Sequence, residues 1–148
     1  MSQNISIKFT SKPWKVTPSQ HAHAVNHDTA GADYEFNSDD MKGKGCGSYV
    51  ITYIPNKNDD GEPKRDGTDH FAYDGQILFE GTIKGKEGAI MIRERGEAKD
   101  GQFKSEWVWF PQSGSGQLQG TAGEGQFQTK KDSGNSLSAD FKGQVSFP

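Results

Sequence analysis

The sequence predicts an all-β fold: a single antiparallel, up-and-down β-barrel of about eight strands. Three observations carry that expectation. Short apolar runs alternate residue by residue, which is the pattern of a half-buried strand. Glycines punctuate those runs, 19 in 148 residues, against a usual ~7%. No stretch shows helical periodicity, and no linker or internal repeat divides the chain, so residues 1–148 read as one domain.

The elements follow in order. Ile5, Ile7 and Phe9 alternate with polar residues and open the chain as a strand, with Pro13 and Trp14 after it. About Thr17 to Asp33 reads as a polar, loop-like segment holding His21, His23 and His27, and Tyr34 to Phe36 reads as a short strand. Gly43, Gly45 and Gly47 lead into the strand SYVITYI, which stops at Pro55. A long hydrophilic loop runs from about Pro55 to Asp69. A strand follows from about His70 to Lys84, with Gly75 as the expected site of a bulge. Gly85 to Gly88 turns the chain back into AIMIRERGE, and Asp100-Gly101 makes a hairpin turn. Phe103 to Phe110 is a strand ended by Pro111, and Gln117 to Phe127 carries one or two short strands. From Leu137 to Phe147, apolar residues and Gly143 form one face and polar residues the other. Sequential hairpins of this kind close most naturally into a barrel, which removes exposed edges. With about eight strands, the interior has room for side chains or one small ligand.

Composition narrows the function. The apolar fraction is 30% and mean hydropathy is −0.88, values that disorder would also produce. Disordered chains, however, are poor in aromatics, and this one is 11% aromatic. The net charge of −3 is spread among mixed charges. No basic stripe is present to hold a phosphate backbone, so nucleic acid is not expected as a partner. Cys46 is the single cysteine, which rules out an internal disulfide. No apolar run approaches the ~18 residues of a membrane helix, and MSQNISIKFT lacks the apolar core of a signal peptide. A cytoplasmic location without membrane contact is the expectation.

Several pieces in order resemble one family. They are Gly45-Cys46-Gly47 leading to Tyr53, then Phe79-Glu80-Gly81-Thr82-Ile83-Lys84-Gly85, then Gly88 to Gly96. Trp107, the run from Ser113 to Gly120, and Gly123-Glu124-Gly125 complete the set. From about Gly43 to Phe147 the chain is similar to the DUF3224 family, small bacterial and fungal proteins of unassigned activity. That resemblance implies an allene oxide cyclase-like barrel. The wider group of such barrels holds one apolar ligand inside and steers its ring closure, and its members often assemble, which implies a homo-oligomer, a dimer or trimer. Two departures stand out. Members often place a His where this chain has Glu94, and the loop from Pro55 to Asp69 exceeds the usual short connection, long enough to cover one mouth of the barrel.

Glu94 is the leading candidate for chemistry. Ile90, Ile92 and Glu94 share one face of a strand. Inside a barrel, desolvation would raise the carboxyl pKa toward the range of a general acid or base. The plain alternative is a rim carboxylate, solvated or paired with Arg93 or Arg95. Tyr53 is the second candidate, supplying proton transfer or a hydrogen bond. Trp107, Trp109, Tyr49, Phe79 and Ile92 are the expected ligand-binding wall, with ordinary core packing as the alternative. Glu80, opposite Phe79 in the pleat, is expected at the surface. No metal site is expected, because His21, His23 and His27 lie on a loop-like segment without fixed geometry. The glycine run lacks both a Gly-Lys-Ser/Thr ending and a following helix, so it is not a phosphate cradle. Asn56 to Gly67 lacks the closing Glu of a calcium loop. Hydrolase, redox and zinc-protease motifs do not occur. The reading is therefore a barrel that binds a small, mostly apolar ligand without a cofactor. The alternatives are a cofactor-free cyclase or isomerase of such a ligand, and a structural or partner-binding oligomer with a filled interior.

Overall fold

Inward and outward side chains alternate along each strand, and that two-residue period decides how the strands close on one another. The computed structural model describes residues 2–20, 26–54, 63–64, 68–130 and 137–148, and among these every regular element is a strand. They are β1 (Ser2–Ser11), β2 (Lys15–Pro18), β3 (His27–Ser38), β4 (Met41–Tyr53), β5 (Phe71–Ile83), β6 (Lys86–Lys99), β7 (Gln102–Gly116), β8 (Ala122–Lys130) and β9 (Leu137–Ser146). Each strand from β3 to β8 pairs antiparallel with the next, β9 pairs with β1, and β1 pairs with β3. Eight strands thus form a closed barrel, and β2 is an additional short strand on β3. None of the described residues forms a helix long and apolar enough to cross a membrane.

The closing seam is irregular in an informative way. β1 meets β3 only along Phe9–Ser11 against Tyr34–Phe36. β2 continues along the same edge of β3, but with one residue more on its own side: Ser11 lies opposite Tyr34, and Lys15 opposite Gly31. The interruption falls at Pro13, which has no amide to give the ladder, and the extra residue bends the strand as a bulge does.

Two tight turns have positive φ at both central residues, Lys84-Gly85 (52° and 79°) and Asp100-Gly101 (53° and 78°). That is the hairpin geometry whose twist matches the flanking strands. The connections between β2 and β3, β4 and β5, and β8 and β9 all leave from the end where β6 turns into β7.

Two expectations need correction. The polar stretch from Thr17 to Asp33 is not a loop throughout, since the end of β2 and the first half of β3 lie in it. The inward residues of that half are Asp28, Ala30 and Ala32, small or polar side chains that leave no hydrophobic period to read. Gly75 is not a bulge, because β4, β5 and β6 run past it in unbroken register. The irregularity lies instead between β6 and β7. Met91 is opposite Phe110 but Ala89 is opposite Ser115, so Pro111–Gly114 loops out and β7 resumes beyond it. There the Ser113 hydroxyl substitutes for the ladder, accepting from Met91 N at 2.9 Å and donating to Phe110 O at 2.6 Å. The expected loop from Pro55 to Asp69 falls mostly outside the described residues, as do His21 and His23.

The core is aromatic. Trp107 stacks on Phe141 with centroids 4.8 Å apart, and Trp109 and Phe127 meet them edge-on. Phe36 joins Phe9 to Phe79. Leu118, from the turn after β7, is tucked into the same cluster. These contacts fill the half of the barrel away from the long connections.

Candidate functional site

The other half contains a polar layer, built on a repeated lateral pattern. Tyr49, Gly75 and Glu94 stand side by side on β4, β5 and β6. Tyr73, Gly96 and Ser105 stand side by side on β5, β6 and β7. Outer strands in such a triplet are ~10 Å apart, a gap bridged only if the middle residue leaves the interior clear. Glycine does so. A Cβ on Gly75 would lie 2.4 Å from Tyr49 Cδ1, and one on Gly96 would lie 2.3 Å from the Tyr73 hydroxyl. Each tyrosine therefore crosses a glycine to reach a polar side chain two strands away.

The result is one chain of hydroxyls meeting on a carboxyl. Tyr49 donates to Glu94 Oε1. Ser105 donates to Glu94 Oε2 at 2.8 Å. Tyr34 and Tyr49 share a hydrogen bond of 2.6 Å between hydroxyls, in space left open by Gly47. Tyr73 and Ser105 share another. The indole NH of Trp107, opposite Glu94 on β7, also favours the carboxylate, though outside hydrogen-bond geometry.

Glu94 is 3% exposed. Burial raises its pKa above the ordinary carboxyl value, and the Tyr49 and Ser105 hydroxyls oppose that shift only in part. Burial also raises Tyr34, Tyr49 and Tyr73 above the usual phenol range, and the nearby Glu94 charge adds to the effect. Chemically, the layer is a carboxyl that holds its proton to higher pH than a solvated one, joined to three phenols.

Trp14 covers this layer. Its ring stacks on Tyr49 with centroids 4.5 Å apart and planes 6° from parallel, and meets Tyr73 edge-on at 5.2 Å.

The residues expected from sequence divide between the two halves. Glu94 and Tyr49 come together, with Trp107 beside them. Tyr53 lies four residues further along β4 and donates to Asp28 Oδ2 at 2.8 Å, a second buried pair. Trp109, Phe79 and Ile92 are buried in the aromatic half. His27 bonds Thr52 at the surface, and Glu80 is exposed. Among the described residues no cluster suits a metal ion. Ser105, Tyr34, Tyr73 and Trp14 were not singled out from sequence. Ser105 carried a usable signal, as a hydroxyl between Phe103 and Trp107 on an otherwise aromatic face.

This architecture defines a class: a closed antiparallel barrel with a buried carboxyl–phenol layer beneath one end. The family match is specific. The chain belongs to the DUF3224 family, described as protein of unknown function, which matches residues 5–141. A solved structure of a DUF3224 protein of unknown function from Shewanella oneidensis MR-1 superposes with a TM-score of 0.65. It covers 100% of this chain and 99% of its own at 17% identity, which establishes a shared fold. No curated protein matches the chain.

Proposed function

We propose that this protein binds a small, mostly apolar ligand at the end of the barrel that carries the long connections, with the Glu94 layer as its polar floor. One observation carries the reading: a carboxyl is buried in the barrel and held by the Tyr49 and Ser105 hydroxyls, with no ion pair to a cation among the described residues. Burying such a group opposes folding. A site that must present a polar group to an apolar molecule accounts for that cost.

A cyclase or isomerase of the same ligand is the second reading. It is favoured by the raised Glu94 pKa beside a phenol, an arrangement suited to proton transfer.

Native mass spectrometry of the protein purified from its own source tests binding. The expected result is one small molecule per chain, lost in Glu94→Gln or Tyr49→Phe. Retention of the molecule by both variants would remove the Glu94 layer from the site. A bare protein that also shows no thermal shift with a panel of apolar compounds would overturn the binding reading. If a ligand is found and is converted, turnover that survives Glu94→Gln would sink the cyclase.

A further inference from the structure

Trp14 differs from the other two tryptophans. Trp107 and Trp109 stand on β7 and are 0% and 1% exposed. Trp14 follows Pro13 in the ladder break at 12–14 and is half-buried. Its ring nevertheless occupies a well-formed slot: the Tyr49 face below, and the edges of Tyr73 and Phe103 beside it at 5.2 Å and 5.9 Å. The indole Nε1 is buried there without a hydrogen-bond partner. It bears on the Tyr34 hydroxyl but does not bond to it.

Proton counting shows what the slot lacks. Tyr34, Tyr49, Ser105 and Tyr73 make four hydrogen bonds converging on Glu94. The four hydroxyl protons satisfy them all when Glu94 is ionised. When Glu94 carries its proton there are five protons for those four bonds. The surplus donor emerges at a free end of the chain, Tyr34 or Tyr73. Trp14 lies against both ends, and an indole NH cannot accept a hydrogen bond.

We propose that the space held by the Trp14 indole is itself the ligand site, a slot for a flat aromatic molecule bearing one hydrogen-bond acceptor, with Trp14 as its removable occupant. This rests on the reading that ligand binds at this end of the barrel, and it adds the ligand's class. The ligand takes over the stack on Tyr49 and gives the surplus proton the acceptor that the indole lacks. The Pro13 break lets Trp14 leave while β1 and β2 keep their pairing to β3. Because the occupant competes with the ligand, removing it raises apparent affinity.

The test uses 2-naphthol, two fused rings with one oxygen, on the full 15N-labelled chain. The three indole NH signals are followed, with Trp14 assigned by its loss in Trp14→Phe. In the wild-type protein 2-naphthol is expected to move the Trp14 signal and leave Trp107 and Trp109 in place. Trp14→Ala is expected to bind it about tenfold more tightly or better. Naphthalene, which lacks the oxygen, is expected to bind about tenfold more weakly than 2-naphthol, the worth of one hydrogen bond. A Trp14 signal that stays fixed up to the solubility limit overturns the proposal, even if Trp14→Ala accepts the probe, because filling an engineered hole is not displacement. The wild-type titration decides alone should Trp14→Ala fail to fold. A co-purified ligand that leaves the Trp14 signal unmoved would refute the slot and spare the binding reading. Failure of the binding reading itself looks different: a bare protein, no thermal shift with any apolar compound, and a Trp14 signal that 2-naphthol never moves.

Discussion

Tyr49 and Glu94 stand on strands that never pair, yet their side chains hydrogen-bond across the glycine between them. Gly75 is the gap that permits it, and the Tyr73–Gly96–Ser105 triplet repeats the device one strand over. The polar layer is thus set by which residues are missing from the interior as much as by which are present.

The glycine contrast is directly measurable. Gly75→Ala brings a Cβ to 2.2 Å from Ser48 O, and Gly96→Ala brings one to 2.6 Å from Ser105 Oγ. Overpacking of this kind costs about 1–3 kcal/mol or more. At Gly31 the nearest atom is 3.9 Å away, so Gly31→Ala should be neutral or stabilising by about 0.4–1 kcal/mol. Urea midpoints for the three variants check the order. Equal losses at all three would mean that the gaps are not needed.

Glu94 should make the fold sensitive to pH. Its folded pKa lies above the unfolded value of about 4.3. The neutral form's contribution is therefore complete below that value and is lost as pH rises through the folded pKa. Glu94→Gln keeps the shape and removes the ionisation. Between about pH 4 and pH 8 the wild-type melting temperature should fall relative to the variant's. Asp40 shifts the opposite way, held down chiefly by the Ser6 amide, but both proteins share it and it cancels in the difference. Parallel melting curves would contradict a costly buried Glu94.

The phenols should resist alkali. Tyr34, Tyr49 and Tyr73 have pKa values raised above the ordinary phenol range. In an absorbance titration they are expected to ionise only as the barrel unfolds, in one step with the loss of far-ultraviolet strand signal. Stability is retained below the unfolded pKa of about 10 and lost above it. Smooth ionisation of these tyrosines in a still-folded protein would show the layer open to water.

Tyr73 and Ser105 should act as a unit. Ser105→Ala strips a donor from Glu94 Oε2 and orphans the Tyr73 hydroxyl. Leaving a buried polar group unpaired costs about 1–3 kcal/mol. Tyr73→Phe in the Ser105→Ala background should then cost less than in the wild type, because the orphan is gone. Denaturation of the two single variants and the double variant gives the coupling, and strict additivity would break the proposed chain.

The alternation of Ala139, Phe141 and Val145 and the placing of Glu94 with Ile90 and Ile92 were legible because inward apolar side chains mark the period. The first half of β3 was not, since Asp28, Ala30 and Ala32 carry almost no hydrophobic contrast. Parity along a strand tells which side a residue faces, not its height in the barrel. Tyr49 and Tyr53 share a side, but four residues separate them by ~13 Å. Only the register decided that Tyr49 meets Glu94 and Tyr53 meets Asp28. Trp14 escaped notice because a break in the ladder, not a strand period, turns it inward.

The long pairing of β1 with β9, Ser2 opposite Ser146 through Ser11 opposite Leu137, reaches beyond the finished structure to the order of synthesis. Of the nine strands among the described residues, β1 leaves the ribosome first and its principal partner last. Until β9 emerges, Ile5, Ile7 and Phe9 have no complete wall to pack on, and the growing sheet keeps unpaired edges open to wrong partners. Pairings so distant in sequence also form slowly. The nascent barrel therefore stays an open, sticky sheet until β9 arrives, and that strand decides whether it closes on itself or on a neighbour.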